Sequence, residues 1–140
     1  MSEAEWEFAA RAGTATPFWW GGSLSTELAN YEGSRAFRDG LAGVFRNTTM
    51  PVGSFSANPW GIYQMLGNVW ECCADFWHET YAGDGPTDGR AWEAGTQRGL
   101  RVLRGGAWDS LPEDVRAASR FAYPTAPRNS ILGFRVARTL

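Results

Sequence analysis

Lysine is absent from this 140-residue chain, and all 13 of its basic residues are arginine. That bias suits planar, hydrogen-bonded roles, although a GC-rich genome produces the same bias. The formal net charge is only −2, so no field that would collect polyanions is expected. No run of basic residues interleaved with aromatics occurs, which argues against nucleic acid as a partner. The chain has one histidine, His78, so a Ser-His-Asp arrangement has no spacing signature to rest on. Its two cysteines, Cys72 and Cys73, are adjacent, and ordinary disulfide geometry does not join neighbours. No disulfide framework is therefore expected. With His78 as the only nearby partner, the thiols also fall short of a soft-metal ligand set. They read as partly buried structural thiols. No apolar stretch is long enough to cross a bilayer, and no signal peptide is visible, so no membrane insertion is expected.

What is present is aromatic and glycine-rich. Hydrophobic residues make up 44% and charged residues 20% of the chain, the balance of a folding domain rather than a disordered one. Residues 1–140 form one domain with one core. Eight Trp and 17 Gly fit a loop-rich fold whose core is filled by large rings. Ser2 and Glu5 make a capping box for a helix over 3–12, with Trp6, Ala9 and Ala10 on one face and Gly13 as the stop. Short strands are expected at 29–31, 51–55, 69–75, 102–108, 115–121 and 132–137, with turns and long loops between them. Glu71, Cys73 and Asp75 share one face of the third of these. Asp75, Asp84 and Asp88 read as solvated acids. One helix among many short strands defines an α+β, loop-dominated domain.

Three blocks carry more information: Gly61 to Glu71 (Gly-Ile-Tyr-Gln-Met-Leu-Gly-Asn-Val-Trp-Glu), Arg104 to Trp108 (Arg-Gly-Gly-Ala-Trp) and Gly133 to Arg135 (Gly-Phe-Arg). Together with the opening helix they resemble the signature of the formylglycine-generating enzyme, or sulfatase-modifying factor, family. The resemblance implies a variant of the C-type lectin fold. It runs from residue 3 to residue 138. Family members usually carry a further N-terminal portion, and a chain without it is expected to expose apolar surface, to form homo-oligomers or to bind a partner. The family's oxidases bind copper through two cysteines, whose positions here are Ser110 and Val115, and neither supplies a thiolate. The sulfoxide-synthase branch takes iron from three histidines in a separate domain. The resemblance thus implies a non-enzyme with no catalytic residues and no copper or iron. The alternative is a structural domain, or a fragment of such an oxidoreductase.

Calcium is the metal the resemblance leaves open. Its ligands would be the Gln64 side chain, the carbonyls of Gly67 and Val69, and the Glu71 carboxylate. A second family site would need an acid near Val44 to Arg46 that this chain lacks, although Asn30 and Tyr31 match part of it. Arg104, Arg116, Arg120 and Arg135 are expected to bond loop carbonyls and stack on Trp rings. The layout also resembles the variable proteins of diversity-generating retroelements, of prokaryotic or phage origin. That reading assigns ligand binding to Asp109, Ser110, Leu111, Asp114, Val115, Phe121, Ala122, Tyr123, Asn129, Ser130 and Ile131, with Glu113 as framework. The expected partner is a protein or surface ligand, engaged by rigid aromatics with polar neighbours.

Overall fold

The computed structural model describes residues 1–83, 85–95, 99–126 and 128–138. The chain opens with helix α1 (Glu3–Arg11). The Ser2 hydroxyl accepts the Glu5 N–H at 3.1 Å and the Ser2 N–H donates to Glu5 Oε2 at 2.8 Å, so the capping box is complete. The left-handed step that ends the helix is taken first by Ala12 (φ 46°), with Gly13 following at 88°.

Among the described residues four strands form one mixed sheet: β1 (Trp70–Phe76), β2 (Leu100–Arg104), β3 (Arg120–Pro124) and β4 (Leu132–Gly133), in the order β3-β2-β1-β4. β1 and β3 each lie antiparallel to β2, while β4 runs parallel to β1. Several expected strands are shorter, shifted or missing, each for a local reason. The strand expected at 102–108 stops at Arg104, because Gly105 and Gly106 take φ values of 95° and 78°. Residues 112–115 form a 3-10 turn begun by Pro112, so the strand expected at 115–121 starts only at Arg120. Val52–Ser54 is another 3-10 turn rather than a strand. Ala29 to Tyr31 are buried without joining a ladder. Here the Asn30 carbonyl accepts one N–H, from Asn68. Only Leu132 and Gly133 of the expected 132–137 strand pair with a neighbour.

Strand alternation gives the sheet two different faces. The inner face carries Glu71, Cys73 and Asp75 of β1, together with Val102 and Arg104 of β2. Helix α1 lies against it, and the main core of Trp6, Phe18, Leu24, Tyr31, Phe37, Met65, Val102 and Val115 fills the space between sheet, helix and the long loops. Fully burying one such ring contributes about 1.5–3 kcal/mol. The outer face carries a second, smaller cluster of Trp70, Leu103 and Ala107, with Tyr123, Ile131 and Leu132 packed against it. Among the described residues no helix is long and apolar enough to cross a membrane.

Buried arginines join helix to sheet. Arg104 is fully buried. It pairs with Glu7, places Nε 3.4 Å from Glu3 and donates to the Ser119 carbonyl. Arg120 grips both oxygens of Glu3, at 2.6 and 2.9 Å, and lies between the rings of Trp77 and Tyr81. Arg135 donates to both oxygens of Glu71, at 2.6 and 3.0 Å, and to the Tyr63 carbonyl. Arg116 bonds the Glu113 carbonyl. The expected bonds to loop carbonyls are present, but three of the four arginines also neutralise carboxylates. Asp75 is not a solvated acid. It is buried, accepting the Glu3 N–H at 2.6 Å and the Trp92 N–H at 2.9 Å. Asp88 is exposed and pairs with Arg90; Asp84 lies outside the described residues.

Candidate functional site

The residues assigned to ligand binding divide between the two faces of the sheet and the loop after Gly106. Phe121 is 51% exposed and stacks on Trp70 with ring centroids 5.7 Å apart. Tyr123 lies two residues along the same strand, on the same outer face. The Asn129 amide reaches its hydroxyl at 3.5 Å. Ser130 is exposed, and Ile131 packs into the outer cluster. Residues 121, 123 and 129–131 therefore form one surface. The backbone holds it firmly, because β3 pairs along its whole length with β2, and the Trp70 N–H donates to the Ile131 carbonyl at 2.8 Å.

Three assigned residues leave that surface. Ala122 pairs with Val102 and points to the inner face, because alternation sends every second residue of β3 the other way. Val115 is fully buried in the main core, where it meets the backbone turn at Gly106. Ser110 is buried, and its hydroxyl accepts the Ala107 N–H at 2.8 Å to close the turn that follows β2. Asp109, Leu111 and Asp114 are exposed on this loop, whose root, Ala107, belongs to the outer cluster.

The surface also contains residues that the sequence reading missed. A cavity of about 170 Å³ beside Tyr123 is lined by Cys72, Arg101, Leu103 and Leu132, and another of about 350 Å³ by Asn129, Leu132 and Phe134. Phe134 is 79% exposed. Strand alternation carried the signal for Cys72: with Cys73 inward, its neighbour must face out. The two thiols accordingly differ. Cys72 is exposed and Cys73 buried, and burial pushes the Cys73 thiol far up, so it is inert packing.

Of the four residues expected to hold calcium, Gln64, Gly67 and Val69 lie in the turn before β1 and Glu71 is the second residue of β1. Gln64 donates through its amide to the Pro51 carbonyl at 2.7 Å, and its Oε1 is buried without a partner. The Gly67 carbonyl accepts the Val69 N–H at 3.1 Å. Glu71 is heavily used. Oε2 accepts from the Trp6 indole at 2.8 Å and from Arg135, and Oε1 accepts from Arg135. One lone pair of Oε1 stays free, so Glu71 and the unpartnered Gln64 Oε1 both keep acceptor capacity for a cation, while Arg135 already balances the Glu71 charge. Among the described residues, no group of three or more His, Cys, Asp or Glu is gathered for a metal. The second site's region instead holds Arg46, which bonds the Thr26 carbonyl.

A small curled sheet, few helices and long buried loops make this a C-type lectin-like domain. Residues 1–140 match the model of the sulfatase-modifying factor enzyme 1-like domain, and the chain belongs to that family. It is 35% identical over 144 residues to the formylglycine-generating enzyme of Streptomyces coelicolor, covering 97% of this chain and 45% of that protein. It is 36% identical over 137 residues to the serine/threonine-protein kinase pkn1 of Chlamydia caviae, covering 98% of this chain and 20% of that protein. Among solved structures it resembles PvdO from Pseudomonas aeruginosa, with a TM-score of 0.80 and 39% identity over 96% of this chain and 49% of that one. It also resembles Treponema denticola variable protein 1, with a TM-score of 0.73 and 31% identity over 95% of this chain and 44% of that one. The chain thus spans less than half the length of each of these relatives.

Proposed function

We propose that this domain is a non-catalytic binding module that presents the outer face of its sheet to a protein or surface ligand, in the manner of retroelement-diversified variable proteins. The observation that carries the reading is the separation of the two faces. The main core and the ion pairs of Arg104, Arg120 and Arg135 occupy the inner face, while the outer face, over its smaller Trp70–Leu103–Ala107 cluster, holds a half-exposed Phe121 stacked on Trp70 beside Tyr123, Asn129 and Phe134. Aromatic anchors with few rotatable bonds lose little entropy on binding. The absence of oxidase chemistry is supported by Ser110 and Val115. Both are buried, neither is a thiol, and one closes a turn while the other fills the core. Similarity to a variable protein supports the display role.

The test separates anchor from core. Replacing Phe121 by Ala is expected to change stability by about 1 kcal/mol or less, given its exposure, while weakening capture of any partner selected on the wild-type domain. Replacing Trp70 by Ala is expected to cost roughly 3–5 kcal/mol, as for a large buried ring. Equal losses of stability at the two positions in urea melts would make Phe121 part of the core and end the display reading. Trp108 belongs between them: it is partly exposed and stacks on Phe45 at 6.2 Å.

Calcium at the Gln64 turn is part of the same proposal. A single shared carboxylate and neutral oxygens predict weak binding, on the order of 10⁻⁴–10⁻³ M. Millimolar calcium is expected to raise the melting temperature and chelator to reverse the shift. Gln64→Ala is expected to remove the response while leaving the Glu71–Arg135 pair intact. A calcium response that survives in Gln64→Ala would place the ion elsewhere.

A further inference from the structure

On the helix side of the molecule, away from the proposed binding face, lies a cavity of about 420 Å³ between α1 and the loop that follows β1. Its walls include the rings of Phe8, Phe76 and Tyr81, and its charged groups are not arranged at random. Glu3 is matched by Arg120 and Arg104, and Glu7 by Arg104 and Arg11. Arg90, at the exposed rim, is matched by Asp88. Asp75 differs. It is only 6% exposed, and among the described residues no cation lies within ion-pair distance of it. Its two oxygens take the N–H groups of Glu3 and Trp92. The first of these opens α1, and a helix terminus offsets about half a charge. The acids and arginines around the cavity balance in number, but Asp75 is a buried carboxylate held by N–H groups alone, with no ion pair among the described residues, and it lies beside aromatic rings whose faces are electron-rich.

The geometry points to a binding site for an organic cation: an ammonium or guanidinium carried on an apolar body. Cations are drawn both to a desolvated carboxylate and to ring faces. The domain already holds one guanidinium this way. Arg120 is sandwiched by Trp77 and Tyr81, 4.6 and 4.3 Å from the ring centroids, with Glu3 as its carboxylate. The cavity offers similar groups to a guest. Phe8 is 69% and Tyr81 61% exposed, so both have surface to give. Phe8 is steadied by Trp60, with ring centroids 4.8 Å apart. Trp92 fixes Asp75 from the other side, its own ring stacked on His78 at 3.6 Å.

Three probes of one shape decide the matter by calorimetry on the intact chain: 2-phenylethylamine, 2-phenylethanol and phenylacetate. The amine is expected to bind at least about tenfold more tightly than the alcohol, a factor equal to about 1.4 kcal/mol, and the carboxylate more weakly still. Asp75→Asn is expected to bring the amine down to the level of the alcohol. Phe8→Ala, at an exposed position, and Tyr81→Phe, which keeps the ring against Arg120, separate ring from hydroxyl. The first is expected to weaken the amine several-fold and the second to leave it within about twofold, with a thermal melt of each variant confirming that it folds. No binding of the amine, equal binding of amine and alcohol, or preference for phenylacetate through Arg11 and Arg90 would each overturn the assignment. Undiminished amine binding in a folded Asp75→Asn variant would do the same. If that variant fails to fold, the probe order and the Phe8 and Tyr81 variants decide alone.

Discussion

Arg104→Ala is expected to destabilise the domain by about 3–5 kcal/mol, the usual consequence of removing one partner from a buried ion pair. Arg104 is fully enclosed and is the common partner of Glu3, Glu7 and the Ser119 carbonyl. Without it, two carboxylates of α1 lose their shared cation, and Glu3 is itself buried. Its guanidinium also lies over the Trp6 ring, 5.1 Å from the centroid, so packing is lost with the charge. Lysine is expected to rescue little, because one ammonium cannot serve partners spread around a planar fork. Adding Glu7→Gln to Arg104→Met is expected to recover part of the loss by removing a stranded charge. Urea denaturation reads all of these. A loss under about 1 kcal/mol for Arg104→Ala would show that the network contributes little beyond its desolvation cost.

Gly67→Ala is the second large effect, and its cause is steric rather than electrostatic. Gly67 has φ 79°, and a Cβ added there would sit 2.5 Å from the Asn30 carbonyl oxygen. That oxygen accepts the Asn68 N–H at 2.8 Å, and the Gly67 N–H donates to the Gly105 carbonyl at 2.7 Å. The methyl cannot be relieved by a rotamer change, because its neighbour is backbone. The left-handed strain costs about 1–2 kcal/mol and the enforced backbone shift about 1–3 kcal/mol, so a total near 3 kcal/mol is expected. The Gly61→Ala control, at φ 76° with nothing within 4 Å, carries the same left-handed strain without the clash and is expected to lose less. Comparable midpoints for the two variants in thermal melts would disprove the close approach. Because this turn also orients the Gly67 and Val69 carbonyls proposed to hold calcium, Gly67→Ala is expected to lose any calcium response as well.

The family and its fold class were legible because motifs such as Gly-Asn-Val-Trp-Glu and Arg-Gly-Gly-Ala-Trp are local, and each fixes a turn with its own residues. Helix α1 was legible through Ser2 and Glu5, whose cap is complete within one turn. Strand ends were less so. Arg104-Gly-Gly alternates well enough to look like continuing strand, but the paired positive φ values turn the chain. The region after Leu111 looked extended until Pro112 started a 3-10 turn. The proposed binding face was legible only in part, since period two within β3 separates Phe121 and Tyr123 from Ala122, which a run of consecutive residues does not reveal. Ser110 and Val115 were misplaced because their burial is decided by the turn at Gly106, which long-range packing sets. Asp75 gave no local sign of burial, because its partners, Glu3 and Trp92, are remote in sequence.

The ion pairs of α1 also bear on how the chain acquires its structure. Glu7 finds Arg104 at a separation of 97 residues, and Glu3 finds Arg120 at 117. A helix of nine residues does not persist alone in water. Ribosomes extend chains at about 5–20 residues per second, so α1 waits on the order of ten seconds for Arg120 to be made. The helix therefore docks late, and the contacts that hold it are among the most costly in loop closure. Until β2 is made, Trp6 lacks Arg104, whose guanidinium lies over its ring. Maturation of this domain is governed less by the speed of forming α1 than by how long α1 is kept from wrong company.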